Sequence, residues 1–192
     1  MTFSCILDKF ISNLIVFISY TLIILLWYLF FYNFGHNKNL LLFYFPFGII
    51  VLSFVFFGNK VIFGILFTHF SLYFFLKSFK LDLPFNNFFE ISACQLICVP
   101  LILFVLQKFN ITIGAGEKYK LDKTNIYHVL LISFFSTILL GVLLLLSSIF
   151  YKQQINMYTF IMGNFIGAVV LIISMKLIVN LLTRFKISTK SN

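Results

Sequence analysis

Long runs of apolar residues, separated by short polar segments, occupy most of the chain. Each run is close to the roughly 20 residues that an α-helix needs to cross the hydrocarbon core of a bilayer. The pattern therefore predicts an all-α polytopic membrane bundle, built as a single integral membrane domain over residues 1–192. The six predicted spans cover about residues 10–32, 40–57, 61–79, 88–107, 126–151 and 157–182.

The second and third runs form the most distinctive segment of the chain, FYFPFGIIVLSFVFFGNKVIFGI, over residues 43–65. The polar tripeptide at residues 58–60 interrupts the apolar run, which predicts a tight turn between two membrane-crossing helices. Pro46 lies near the start of the second run, where a proline either kinks a helix or occupies its first turn. We expect Pro46 and Gly48 to shape the entry to this hairpin.

Composition supports a membrane environment. The chain is 61% hydrophobic and 10% charged, with a mean hydropathy of +1.07, whereas about a quarter of the residues in a soluble domain are charged. The net charge of +9 does not indicate nucleic-acid binding, because the basic residues lie scattered between the spans and form no single patch. The lipid bilayer, with its anionic headgroups, is the expected partner of these charges.

The basic residues also predict the orientation of the chain. With a cytoplasmic N-terminus, the inside segments hold Lys9, Lys60, Lys108, Lys118, Lys120, Lys123, Arg184, Lys186 and Lys190. The outside loops then hold only Lys38, Lys77, Lys80 and Lys152. Because cytoplasmic loops carry the excess of Lys and Arg, we predict that both termini are cytoplasmic.

One histidine lies near the middle of a predicted span. His69 is a candidate ligand contact or proton-responsive group, because a polar side chain at mid-bilayer is costly and its charge can change near neutral pH. The alternative is a neutral histidine that is hydrogen-bonded to a neighbouring helix. Gly64, Thr68 and Ser71 form a small-residue face beside it, which predicts close helix packing at Gly64.

A second polar residue lies within a glycine motif of the last span. Gly163 and Gly167 form a G-x-x-x-G pair, with Asn164 between them. Such a pair allows another backbone to approach closely, either within the bundle or in a homodimer. Asn164 would need a hydrogen-bond partner at that depth, which makes it a candidate ligand contact.

The motifs of soluble enzymes do not occur in the sequence. It contains no P-loop, no G-x-G-x-x-G, no H-E-x-x-H and no nucleophile elbow, and its acidic residues are scattered. The cysteines have no partners at zinc-ligand spacing. We therefore predict no catalytic residues, no metal site and no cofactor.

The two glycine motifs together resemble the membrane-associated sensor domain family. Pro46-Phe47-Gly48 followed by Gly58 resembles the P-x-G…G pattern of that family, and residues 162–167, MGNFIG, are similar to its G-D-x-x-G motif. Two departures are visible: Asn164 replaces the usual aspartate, and no kinase, cyclase or phosphodiesterase domain follows. The resemblance implies a bacterial inner-membrane module with a sensory or ligand-binding role, which would pass any signal to a separate protein.

The expected ligand site combines these candidates, namely Pro46, Gly48, His69, Asn164 and Gly167. Two other functions remain open. Six spans in about 190 residues also match the substrate-binding membrane subunits of energy-coupling-factor transporters, although the first span has no alanine for the usual docking face. A structural subunit of a membrane complex is the third possibility.

Overall fold

The computed structural model describes residues 3–33, 44–78, 85–109, 126–146 and 157–188. These ranges contain six α-helices, a 3-10 turn between the second and third of them, and no β-strand. The helices are α1 (Phe3–Asn33), α2 (Pro46–Phe57), α3 (Ile62–Ser78), α4 (Phe85–Lys108), α5 (Ile126–Leu146) and α6 (Met157–Ser188). The turn covers Gly58–Val61.

The prediction of an all-α membrane bundle with about six helices is confirmed. Five segments are long and apolar enough to cross a membrane: Ile6–Trp27, Pro46–Phe75, Glu90–Lys108, Ile126–Leu146 and Phe160–Asn180. The second of these segments comprises α2, the turn and most of α3. With 12 residues, α2 alone extends only about 18 Å, which is shorter than the hydrocarbon core of roughly 30 Å.

The helix ends refine the predicted spans. The second span was predicted from residue 40, but α2 begins at Pro46, which occupies its first turn. A proline is well tolerated there because the first turn leaves its N–H groups unpaired. The last helix runs six residues past its predicted end at residue 182, to Ser188. Residues 40–43, 79 and 147–151 of the predicted spans lie outside the described residues.

The contacts between α1 and α3 show that these two helices run parallel. Lys60, in the turn before α3, forms an ion pair of 3.0 Å with Asp8 near the start of α1. Further along both helices, His69 lies against Tyr20. Because residues later in α1 contact residues later in α3, the two helices run in the same direction. The intervening helix α2 must therefore run in the opposite direction, so the chain reverses at the turn as the hairpin prediction requires.

The start of α1 and the end of α6 lie on the same side of the bundle. Tyr44, just before α2, packs on Trp27 towards the end of α1, with ring centroids 5.1 Å apart. Tyr44 also contacts Gly163, and Gly48 contacts Leu171, so α6 runs parallel to α2. The start of α1 and the end of α6 therefore share one face of the bundle.

The short helix α2 lies at the centre of the bundle. It contacts α1, α4, α5 and α6, and residues 46–55 are all buried. The other five helices are neighbours around it in the order α1, α3, α4, α5, α6. Their outer faces expose large apolar side chains, as expected of surfaces that contact lipid. α2 is thus a core helix, shielded from lipid on most sides.

Asn13 of α1 holds the turn between α2 and α3. Its Nδ2 donates to the carbonyl oxygen of Lys60 at 2.7 Å, and its Oδ1 accepts from the amide of Gly64 at 2.6 Å. A Cβ on Gly64 would lie 2.5 Å from the Asn13 carbonyl oxygen. Gly58 begins the turn with φ 63° and ψ −151°, a combination that only glycine adopts without strain. Two glycines therefore permit this junction.

Candidate functional site

Tyr44, two residues before the central helix, makes a close backbone contact with α6. The amide nitrogen of Tyr44 donates a 3.1 Å hydrogen bond to the carbonyl oxygen of Gly163. One turn further along α6, a Cβ on Gly167 would lie 2.6 Å from the Tyr44 carbonyl oxygen and 2.8 Å from the amide nitrogen of Phe45. The glycine pair of α6 is thus covered by backbone of the same chain.

The first turns of α2 continue this contact. Pro46 and Gly48 are buried, and a Cβ on Gly48 would lie 3.0 Å from the Cα atom of Ala168 and from the Cδ2 atom of Leu171. Close approach of this kind is what small residues allow in membrane helix pairs. The two glycine motifs that the sequence singled out therefore lie against each other, although more than 100 residues separate them.

A hydrogen-bonded network surrounds His69. Its Nδ1 lies 2.9 Å from the Ile65 carbonyl oxygen, and its Nε2 lies 3.2 Å from the Tyr20 hydroxyl and 3.1 Å from the Gln95 Oε1. Because a carbonyl oxygen only accepts, Nδ1 carries a hydrogen. A protonated Nε2 would then donate to the Gln95 Oε1, whereas an unprotonated Nε2, with its single lone pair, would accept from either the Tyr20 hydroxyl or a turned Gln95 amide. Gln95 can thus serve either protonation state of His69.

Tyr44 also belongs to this network. Its hydroxyl lies close to the side chains of Gln95 and Tyr20, both of which contact His69. The backbone of Tyr44 therefore packs on α6 while its side chain joins α1 and α4. This residue connects the glycine contact to the histidine network.

Helix α5 adds hydroxyl groups at the same depth. The rings of Phe134 on α5 and Phe165 on α6 are in contact, with centroids 5.4 Å apart, and Phe165 lies between the two glycines that contact Tyr44. Within one turn of Phe134, the side chains of Ser133, Ser136 and Thr137 are buried. We refer to the polar side chains at this depth as the polar layer: Tyr20, Thr21, Tyr44, His69, Gln95, Ser133, Ser136, Thr137 and Asn164.

Hydrogen bonding divides the polar layer into a satisfied part and an unsatisfied part. On α5, Ser133 donates to the Val129 carbonyl oxygen at 3.0 Å and Thr137 to that of Phe134 at 2.8 Å. Three buried atoms have no hydrogen-bond partner among the described residues, namely the Thr21 Oγ1, the Ser136 Oγ and the Asn164 Oδ1. Such an atom costs about 1–3 kcal/mol, so its presence requires an explanation.

The described part of the polar layer carries no fixed charge. The buried polar residues of the described ranges include no Asp, Glu, Lys or Arg. Nor do these ranges contain a group of three or more His, Cys, Asp and Glu residues that could hold a metal ion. Protonation of His69 is therefore the one way in which a buried side chain of the layer could become positively charged.

A separate groove lies on the outside of the bundle between α1 and α3. It has a volume of about 630 Å³ and is lined mainly by phenylalanines and leucines. Asn13 and Gly64, which hold the α1–α3 contact, also line it. Its open, apolar form suits a lipid chain, and it is not part of the polar layer.

The residues predicted to form the ligand site are distributed over one connected region. Gly48 packs against Ala168, next to Gly167 in the α6 segment that also holds Asn164, and Pro46 is buried two residues before Gly48. His69 bonds to the side chains of Tyr20 and Gln95, which lie close to the side chain of Tyr44, and it is connected to α6 through Tyr44. Its hydrogen bonds to Tyr20 on α1 and Gln95 on α4 are those expected of the alternative, a histidine that is hydrogen-bonded to neighbouring helices.

Three residues of the network were not predicted. Tyr20 and Gln95 lie within apolar runs, and their polar groups were the available signal, since such groups need partners inside a membrane protein. Tyr44 lies at the start of an apolar run, where an aromatic residue normally indicates the membrane interface. Asn13 was not predicted either, although it is a polar residue within the apolar run of the first span.

No family model, no curated protein and no solved structure matches this chain.

Proposed function

We propose that the protein is a membrane-embedded, sensor-like module that binds a small ligand at the polar layer. The observation that carries this proposal is the position of Tyr44, whose backbone packs on the glycine motif of α6 and whose side chain enters the His69 network. Polar groups inside a membrane bundle are costly, and a concentration of them at one depth is a reason to expect function. The resemblance of both glycine motifs to the sensor family supports the same proposal.

The short central helix provides a physical basis for ligand binding. Because α2 is shorter than the bilayer core, its N-terminal end lies beside the polar layer, within the bundle. A helix N-terminus that ends inside a membrane protein carries partial positive charge and favours polar ligand groups. Residues 46–48, at this end, would line the site together with the side chain of Asn164.

The same contacts offer a route for a signal. A ligand that moves Tyr44 changes the contact with Gly163 and Gly167, and so the position of α6 relative to α2. The far end of α6 lies on the same face of the bundle as the start of α1. In the proposed orientation this face is the cytoplasmic side of a bacterial inner membrane, where a separate signalling protein would respond.

The proposal is tested by ligand binding to the full chain in lipid nanodiscs. Small polar metabolites are screened for an increase in the unfolding temperature, and hits are repeated with the variants Tyr44→Phe and His69→Phe. We expect at least one compound that stabilises the unmodified chain and loses its effect in both variants. The lipid-facing variant Phe104→Leu is the control and should retain it. A screen without hits, or hits that persist in both variants, would refute the proposal.

A structural role is the second candidate, and one observation favours it. The groups around His69 satisfy one another's hydrogen bonds without any ligand, as a network that fixes helix positions would do. In that case, Tyr44→Phe and His69→Phe would lower the unfolding temperature while no compound changed it. The binding screen therefore separates the two candidates.

A further inference from the structure

Two of the unpartnered polar atoms lie on adjacent helices at the same depth. Ser136 is two residues from Phe134 on α5, and Asn164 is next to Phe165 on α6, while the rings of Phe134 and Phe165 touch. At a rise of about 1.5 Å per residue, each polar residue lies within one helical turn of that contact along its helix. Ser136 is about 200° around α5 from the exposed Phe134, on the buried face that also holds Ser133 and Thr137. The side chains of Ser136 and Asn164 are almost completely buried, with 0% and 1% of their surface exposed.

The bonds that these residues do and do not make determine the chemistry that they offer. The Nδ2 of Asn164 donates to the Phe160 carbonyl oxygen at 2.8 Å, and its Oδ1, an acceptor, has no hydrogen-bond partner among the described residues. The Ser136 hydroxyl, which can donate and accept, also has no partner within the part of the chain that the structure describes. The neighbouring Ser133 and Thr137 hydroxyls bond to carbonyl oxygens of their own helix. Ser136 is thus the hydroxyl of this α5 face that remains available.

We propose that Ser136 and Asn164 form a subsite for an uncharged ligand group that donates a hydrogen bond, such as a hydroxyl or a carboxamide. This inference rests on the proposed function and specifies the ligand class. The Asn164 Oδ1 can only accept, so the ligand must supply a hydrogen-bond donor. The Ser136 hydroxyl can either donate to the ligand or accept from it. An ammonium or a carboxylate would be left without a counter-charge, because the described buried residues include no acidic or basic side chain other than His69.

Four small probes of similar size test the ligand class. Acetamide and ethylene glycol are uncharged donors, acetate is an anion, and methylammonium is a cation. Each is titrated against the full chain in nanodiscs, and binding is followed by saturation-transfer NMR and by the unfolding temperature. We expect the two uncharged probes to give saturation transfer with the unmodified chain, and the two ions to give none that depends on the subsite.

Two serines of α5 provide a matched pair of variants. Ser136→Ala removes an unpartnered hydroxyl, whereas Ser133→Ala removes one that is bonded to Val129. Both side chains are fully buried. We expect Ser136→Ala to reduce the response to the uncharged probes at least fivefold and to keep or raise the unfolding temperature without ligand. Ser133→Ala should retain the response. Asn164→Leu should abolish it, provided that the variant folds.

The possible outcomes separate this inference from the proposed function. A response to acetate or methylammonium that Ser136→Ala abolishes would overturn the ligand class. Equal responses in Ser133→Ala and Ser136→Ala would overturn the subsite. The subsite would also be overturned if no probe gave a response and Ser136→Ala lowered the unfolding temperature. That combination would indicate that the Ser136 hydroxyl binds a structural water. If metabolite binding still depends on Tyr44 and His69, the proposed function stands without this subsite.

Discussion

The amide of Tyr44 donates a hydrogen bond to the carbonyl oxygen of Gly163 at a distance of 3.1 Å. This bond joins the start of the central helix to α6, and the Tyr44 side chain extends the connection to α1 and α4. One residue therefore links the two sequence motifs and the buried histidine.

Substitution of Gly167 should separate α2 from α6. A Cβ at this position meets the backbone of Tyr44 and Phe45, which cannot move aside as a flexible side chain can. We expect Gly167→Ala to destabilise the protein by about 1–3 kcal/mol, as overpacking of a core does. The measurement is equilibrium unfolding in mixed detergent micelles.

Gly48→Ala provides the comparison for Gly167→Ala. Its nearest neighbours would lie 3.0 Å away, and one of them is the end of the Leu171 side chain. A smaller loss of stability is expected because that side chain can adjust. If Gly167→Ala lowered the stability no more than Gly48→Ala does, this result would contradict the close contact between α6 and Tyr44.

The network around His69 should show energetic coupling between α1 and α4. Tyr20 and Gln95 both contact the Nε2 of His69, so removal of either polar group changes the environment of the other. A double-mutant cycle with Tyr20→Phe and Gln95→Leu should give a coupling free energy of about 0.6 kcal/mol, with about 1.7 kcal/mol as the upper limit seen between membrane helices. The same cycle with the exposed Tyr127→Phe should give none.

The turn before α3 should depend on Asn13. Asn13→Ala removes the bonds to the Lys60 carbonyl oxygen and to the Gly64 amide, at a cost of about 1–3 kcal/mol for buried groups left unpaired. Hydrogen exchange of the Gly64 amide should become faster. Ser19→Ala is the matched control, because the Ser19 hydroxyl bonds only within its own helix. Equal protection of Gly64 in both variants would contradict the assigned role of Asn13.

The sequence was sufficient to predict the helices and their approximate ends, because only long apolar helices can satisfy the backbone in lipid. It was not sufficient to predict which helix is central. In a soluble protein the buried face is distinguished by its hydrophobic pattern, but here lipid and core are both apolar, so residues 46–57 look like any other span. Tyr44 was missed for the same reason, since its partners Gly163 and Gln95 lie on helices that no periodicity connects to it.

The orientation of the chain can be tested at the turn that ends α2. Asn59 is exposed in the 3-10 turn, on the face of the bundle where α1 begins, and the positive-inside rule assigns this face to the cytoplasm. In a background without the three native cysteines, we expect Asn59→Cys in intact cells to resist a membrane-impermeant maleimide. After the cells are opened, it should react. Lys152→Cys, in a loop predicted to be external, should react in intact cells. The reverse pattern would invert the proposed topology and place the end of α6, with any signalling partner, outside the cytoplasm.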